Sequence, residues 1–414
     1  MVKTKKYKKK AGSSSSNSPT KAVSKIQSIV RGRKTRKSFK SNTVRKAIKS
    51  NTNRFYNLPT ELQDVVKDFG KKEKQNNTNS LFEILKTKYT KSNEKKAITY
   101  LNNPIYINQK YSTEFIENNT LLHLAIKNKY TEVAKILLKK EININNTNDL
   151  GLTPLHYAVI YKNITILKDL IKNKANLEAK DREDNTPLVF AIDNELVGTG
   201  WGDAFTEQDV EIVRILVEAG ADVETEYNGP NWRAYNLLSL AVEEALRWNF
   251  NAPHLYNNTK QIQIVEILLK NNADPNKEFG LDHVPVLHRA AQWGDKKLVQ
   301  LLIQYHANIH AKTEDGDTPL SFAVGAMYDP PNQGDDDYKG LLNVIKLLLS
   351  YNLRVEDMKY TIRRAQEILS NFQDDEFAKD NYKAMKRVIK MIQKKIYTTT
   401  AGKKTRKTRK IRKK

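Results

Sequence analysis

Leu152-Thr-Pro-Leu-His-Tyr-Ala158 is one of six versions of the same short phrase in this chain. Asn119-Thr-Leu-Leu-His-Leu-Ala125 precedes it and Asn185-Thr-Pro-Leu-Val-Phe-Ala191 follows. Asn236-Leu-Leu-Ser-Leu-Ala241, Pro285-Val-Leu-His-Arg-Ala290 and Thr318-Pro-Leu-Ser-Phe-Ala323 come later. Thr120, Thr153 and Thr186 are spaced by 33 residues, and so are Pro285 and Thr318. The phrase reads as the opening of a helix. Thr before the first turn offers a side-chain acceptor to the exposed amides. Pro in the first turn gives up only an N–H that the helix leaves unpaired, and its φ is already helical. Ala keeps one face thin, so a neighbouring helix can approach closely.

A second helix follows each opening, marked by apolar residues at i, i+3 and i+4: Val133, Ile136, Leu137; Val213, Leu216, Val217; Ile264, Ile267, Leu268; Val344, Leu347, Leu348. Each ends in a similar turn, at Lys174-Ala-Asn176, Gly220-Ala-Asp222, Asn272-Ala-Asp274 and His306-Ala-Asn308. Gly and Asn there suit the positive φ that stops a helix. A helix pair repeating at this period and opening on Thr-Pro-Leu-His-x-Ala resembles the ankyrin repeat. The resemblance implies an all-α solenoid of stacked helix pairs with short β-turn fingers. It also implies that His123, His156 and His288 are structural hydrogen-bonding residues, and that the chain binds another protein.

We expect about seven units over residues 80–355, the first a degenerate one beginning at Leu81-Phe-Glu-Ile-Leu85, since terminal units meet water on one face. Residues 356–396 read as amphipathic capping helices, with Ile362, Ala365, Ile368, Leu369 and then Met385, Val388, Ile389, Ile392 on their apolar faces. The period is broken in three places. Leu170 to Leu216 is 46 residues, Leu216 to Leu268 is 52 and Leu302 to Leu348 is 46. The extra residues fall mostly at 193–209, 247–260 and 325–339, between the two helices of a unit, with a few in the finger at 227–234. Insertions at one register position emerge on one edge of a solenoid. These carry Trp201, Phe205, Trp232, Trp248, Phe250, Tyr256, Tyr328 and Tyr338, which are candidates for partner contact because exposed aromatics often anchor interfaces. The alternative is that the rings fold back over the edge of the repeat.

Charge separates the ends from the middle. Residues 1–60 hold 18 Lys and Arg and no acid, and residues 394–414 hold 11 with no acid. The stretch between carries 42 basic against 47 acidic residues, so the net +24 belongs to the ends. We expect disordered basic tails at 1–20 and 397–414, a basic helix at 21–50, and a short helix with a linker at 51–79. With no cysteine, disulfides, thiolate metal sites and a Cys nucleophile are excluded. No secretory signal follows the basic start and no 18-residue apolar run occurs, so an intracellular protein, cytoplasmic or nuclear, without a membrane span is expected, as a monomer. Usage rich in Asn, Lys, Ile and Tyr, with such tails, resembles proteins of large DNA viruses, which would place it in a host cell.

Within the basic start, Ile26-Gln-Ser-Ile-Val-Arg-Gly-Arg-Lys-Thr-Arg36 resembles the IQ motif at every defined position. Ala22, Ile26, Ile29 and Val30 share one helical face, and the cations suit an acidic partner. The resemblance implies calmodulin or another EF-hand protein as that partner. Ile26 would be the apolar anchor and Gln27 would bond the partner's backbone. Gly32 would permit close approach, and Arg31 and Arg36 would meet carboxylates. A basic helix binding anionic surfaces would share this composition. Further on, Leu58-Pro59, Glu61-Leu62, Val65-Val66 and Phe69 resemble the first helix of an F-box, which would make the chain a substrate adaptor of a ubiquitin ligase. The other reading is a short Pro-started helix packing on the first unit.

Nothing in the sequence assembles catalytic chemistry. The seven histidines form no Glu-x-x-His pair, and Gly198-Thr-Gly-Trp-Gly202 lacks the ending of a phosphate loop. We therefore expect a scaffold without cofactor or metal, with nonspecific nucleic-acid contact through the basic tails as the reading from a different class.

Overall fold

The computed structural model describes residues 60–111, 118–193, 205–228, 234–247, 258–278, 283–328, 337–371 and 379–411. The IQ-like segment (Ile26, Gln27, Arg31, Gly32, Arg36), and with it Trp201, Trp232, Trp248, Phe250 and Tyr256, lies outside the described residues. The chain divides into two units, Met1–Lys74 and Gln75–Lys414. The described part of the first is helical throughout, the beginning of α1 (Thr60–Leu85).

The second unit is a succession of helix pairs. After α1 come α2 (Lys91–Leu101), α3 (Leu121–Lys127), α4 (Thr131–Leu138), α5 (Pro154–Ile160), α6 (Ile164–Lys172), α7 (Pro187–Ile192) and α8 (Glu207–Glu218). Then follow α9 (Leu237–Arg247), α10 (Thr259–Lys270), α11 (Val286–Gln292), α12 (Lys296–Gln304), α13 (Pro319–Gly325), α14 (Asp337–Ser350), α15 (Val355–Asn371) and α16 (Lys379–Ile411). Odd-numbered helices from α3 to α15 pack on one another in sequence, and even-numbered ones form the second row beside them. Two antiparallel hairpins stand in the connections. β1 (Lys110–Tyr111) pairs with β2 (Asn119–Thr120), and β3 (Glu226–Asn228) pairs with β4 (Ala234–Asn236) in the register Glu226 opposite Asn236. One run of buried apolar side chains extends from Leu81 on α1 to Ile392 on α16.

The turns that close the second helices are left-handed, at Gly220 and Asn272 in keeping with the residue and at Lys174 and His306 in spite of it. Lys174, Gly220, Asn272 and His306, each closing a second helix, have φ of 63°, 97°, 71° and 69°. Two glycines are held by close approach as well as by φ. A Cβ on Gly151 (φ 80°) would lie 2.8 Å from the backbone nitrogen of Arg182 in the next finger. One on Gly294 (φ 70°) would lie 2.8 Å from that of Leu341 on α14.

Two expectations are corrected. Residues 71–79 are not a linker, because α1 runs through them. Lys71 to Gln75 lose little rotamer freedom in a helix, and the Asn-rich stretch after them is held by the far end, fixed by buried Leu81, Phe82 and Leu85. Thr78 Oγ1 also accepts from Tyr106 N at 2.8 Å, tying α1 to the first connection. At the other end the tail expected from 397 is helical to Ile411, as the continuation of α16. No proline interrupts it, and Lys and Arg propagate a helix already nucleated by packing.

Candidate functional site

The openings at Thr120, Thr153 and Thr318 are hydrogen-bonded boxes, whereas those at Thr186 and Pro285 have no side-chain cap. Thr120 Oγ1 accepts from His123 N at 3.5 Å, and His123 Nδ1 accepts from Thr120 N at 3.2 Å. His156 and Thr153 repeat this at 3.5 and 3.1 Å. The other ring nitrogen reaches the following unit. His123 Nε2 donates to Leu152 O at 3.0 Å, His156 Nε2 to Asn185 O at 3.2 Å, and His288 Nε2 to Asp317 O at 3.2 Å. A carbonyl can only accept, so Nε2 carries a proton, and in His123 and His156 the backbone N–H donating to Nδ1 leaves that nitrogen unprotonated and the ring neutral. Each ring also meets an aromatic edge of the next unit, at 4.9 Å for Tyr157, 5.4 Å for Phe190 and 5.1 Å for Phe322. Burial pushes His156 and His288 down to about 4. These histidines join one unit to the next.

A second ladder runs along the fingers. Asn108 Oδ1 accepts from Asn143 N at 2.9 Å, and Asn145 Oδ1 from Asn176 N at 3.0 Å. Glu178 serves Asp222 at 3.0 Å, Glu224 serves Asp274 at 2.8 Å and Asn276 serves Asn308 at 2.7 Å. Within each step the Asn or Asp also caps the amide two residues on, as Asn143 Oδ1 does for Asn145 N at 3.1 Å. The fingers are thereby fixed in spacing, and their tips are exposed. Leu150 stands 47% exposed at one of them. The sequence reading missed this residue, although an aliphatic in the turn Asn-Asp-Leu-Gly, where polar residues are usual, was a readable signal.

The face formed by the odd-numbered helices holds a shallow hollow at its C-terminal end, lined among others by Gln292, Asp317, Phe322, Thr361, Arg364 and Ile368. Arg364 faces Asp317 at 3.8 Å and Glu367 at 3.4 Å, and the Asp317 charge raises the guanidinium further above its ordinary range. Half-buried Phe322 and Ile368 between such charges can receive a side chain while the rim supplies hydrogen bonds. Among the described residues no three His, Cys, Asp or Glu side chains converge for a metal ion, and no helix is long and apolar enough to cross a membrane.

The described aromatics of the insertions do not all stand free. Phe205, expected as an exposed anchor, is 6% exposed and belongs to the core. It sits just before the box in which Thr206 N and Oγ1 donate to Asp209 Oδ2 at 2.8 and 2.7 Å, with Lys162 Nζ 2.8 Å from the other oxygen, so the loop end is pinned inward. Tyr328 is half-buried against the core, and its carbonyl accepts from Asn381 Nδ2 of α16 at 2.9 Å. Tyr338 is placed in the first turn of α14, and its side chain lies outside the described residues.

Comparison with family models matches "Ankyrin repeats (3 copies)" over residues 76–181, 143–227 and 254–359, and "IQ calmodulin-binding motif" over residues 20–40. No curated protein matches the chain. Among solved structures, the human ASB11 ankyrin repeat domain is similar at 19% identity and a TM-score of 0.43, covering 64% of this chain and 96% of that one. The Bd0816 predatory endopeptidase of Bdellovibrio bacteriovorus in complex with immunity protein Bd3460 gives 24% identity and a TM-score of 0.39, covering 56% of this chain and 97% of that one. The repeated opening box, the helix pairs and a family match over more than half of the residues lead to one assignment: this chain belongs to the ankyrin-repeat family.

Proposed function

We propose that the protein is a two-ended scaffold. The ankyrin array holds one protein partner on its finger tips and odd-helix face, while the basic N-terminal segment binds calmodulin or a related EF-hand protein. The observation that carries this reading is the IQ match at residues 20–40 beside the array. Exposed Leu150 and the hollow around Phe322 and Arg364 support the first half. The second half rests on Ile26 as apolar anchor, Gln27 as backbone-bonding group, Gly32 for close approach and Arg31 and Arg36 for carboxylates. The insertion aromatics Trp201, Trp232, Trp248, Phe250 and Tyr256 belong to the proposed partner edge.

The test is titration of the full chain against calmodulin, with calcium and with a chelator. Micromolar or tighter binding that weakens at least about tenfold in the Ile26→Asp, Gln27→Ala double variant is the expected result, equivalent to about 1.4 kcal/mol. Equal binding by wild type and variant would remove the IQ segment from the account.

A further inference from the structure

We propose that the exposed face of α16 is a binding ridge for the phosphate backbone of duplex nucleic acid. From Asn381 to the end of the sequence there is no Asp or Glu, while Lys and Arg number 15. The structure gives this composition a shape. Met385, Val388, Ile389 and Ile392 are buried in the array, which fixes the helix about its own axis. Arg387, Lys390 and Lys394 then fall on the opposite side, at spacings of three and four residues, and all are exposed. Lys386, also exposed, is held over the Tyr382 ring at 4.1 Å from its centroid. The helix continues to Ile411. At about 1.5 Å per residue, Arg387 to Lys394 is roughly 10 Å, a length over which a duplex backbone presents several phosphates.

The packing also selects the occupant. An EF-hand protein takes a basic helix by its apolar face, and here that face is already covered by the array as far as Ile392. A membrane-surface helix likewise needs an apolar stripe to insert, and among the described side chains beyond Ile392 the only large exposed one is Tyr397. What α16 offers to solvent is a row of cations on a rigid support, and a duplex presents fixed anions at matching length. On the neighbouring α15 an exposed cation is met by the array's own acids, Arg364 by Asp317 and Glu367. Along α16 no acid is supplied by the helix after Asp380. Such a ridge reads no bases, because it carries nothing shaped for a groove edge.

The test uses the full chain and a 20-base-pair duplex, followed by fluorescence anisotropy between 50 and 200 mM salt. The comparison is with the triple variant Arg387→Gln, Lys390→Gln, Lys394→Gln. The ridge predicts at least a tenfold loss of duplex affinity at 100 mM salt and a salt slope shallower by about 3, since each phosphate contact contributes roughly 0.9. A second variant, Lys390→Arg with Lys394→Arg, should bind as wild type, which separates charge from folding. A triple variant that keeps both affinity and slope overturns the proposal. So does tighter binding to phosphatidylserine vesicles than to the duplex, because the ridge would then serve a lipid surface.

Discussion

At the residue scale, the histidines of the opening boxes trade solubility of charge for connection. His156 and His288 are held neutral because burial disfavours the charged ring, an effect that outweighs the Nε2–H bond to the next unit's carbonyl, which pulls the other way. In the unfolded chain they titrate near 6.5, and in the folded chain near 4. Between those values the unfolded state binds more protons, so stability is complete above about pH 6.5 and falls as pH drops toward 4. Each ring contributes at most on the order of 3 kcal/mol to that fall. Imidazole proton resonances of both rings should stay at their neutral positions down to pH 5. Titration of either above pH 6 in the folded protein would contradict the buried, carbonyl-bonded arrangement. Much of this was legible beforehand: Thr, Pro, His and Ala at fixed spacing announce the box, and the resemblance named the histidines as structural. The target of the bond was not legible, because it lies 29 residues downstream and depends on how the units stack.

At the scale of single elements, α16 joins two regimes. Its first part is held by Met385, Val388, Ile389 and Ile392, and its later part by propagation of the helix. A chain ending at Ile396 should therefore melt within a few degrees of the full chain. One ending at Ala378 should lose several kcal/mol, since four apolar side chains at roughly 1.5–3 kcal/mol each leave the interior and uncover α15 and part of α14. Thermal melts followed by circular dichroism check both, and equal destabilisation by the two truncations would assign the stabilisation to residues past 396. The sequence revealed the apolar spacing of this helix and hid its length. Periodicity finds the buried face, whereas a basic run without such a face is read as tail even when it is helical. The same blindness broke α1 at residue 70, and it left Phe205 among the exposed aromatics because burial of a loop residue comes from contacts distant in sequence. The helix-closing turns fared better, since at Gly220 and Asn272 the positive φ follows from local chemistry.

At the scale of the whole array, contacts are made mainly between neighbouring units, so stability is close to a sum of unit and interface terms. Gly294→Ala tests that property. Its Cβ would meet the backbone of Leu341 at 2.8 Å in a left-handed conformation, a conflict between α11–α12 and α14 worth roughly 2–4 kcal/mol. Hydrogen exchange should show protection falling from α11 to α16 while α3 to α8 keep theirs. A uniform loss along the chain would mean that the array unfolds as one block.

The forward reach of the histidines has a consequence for synthesis. A nascent chain that has emerged only to Glu183 has folded the helices around His156 but has not delivered the Asn185 carbonyl that its Nε2 needs. Every such unit is provisional until its successor leaves the ribosome, so structure hardens from the amino end one step behind translation. Any fragment meant to stand alone should accordingly be cut after a successor's first turn and never before it.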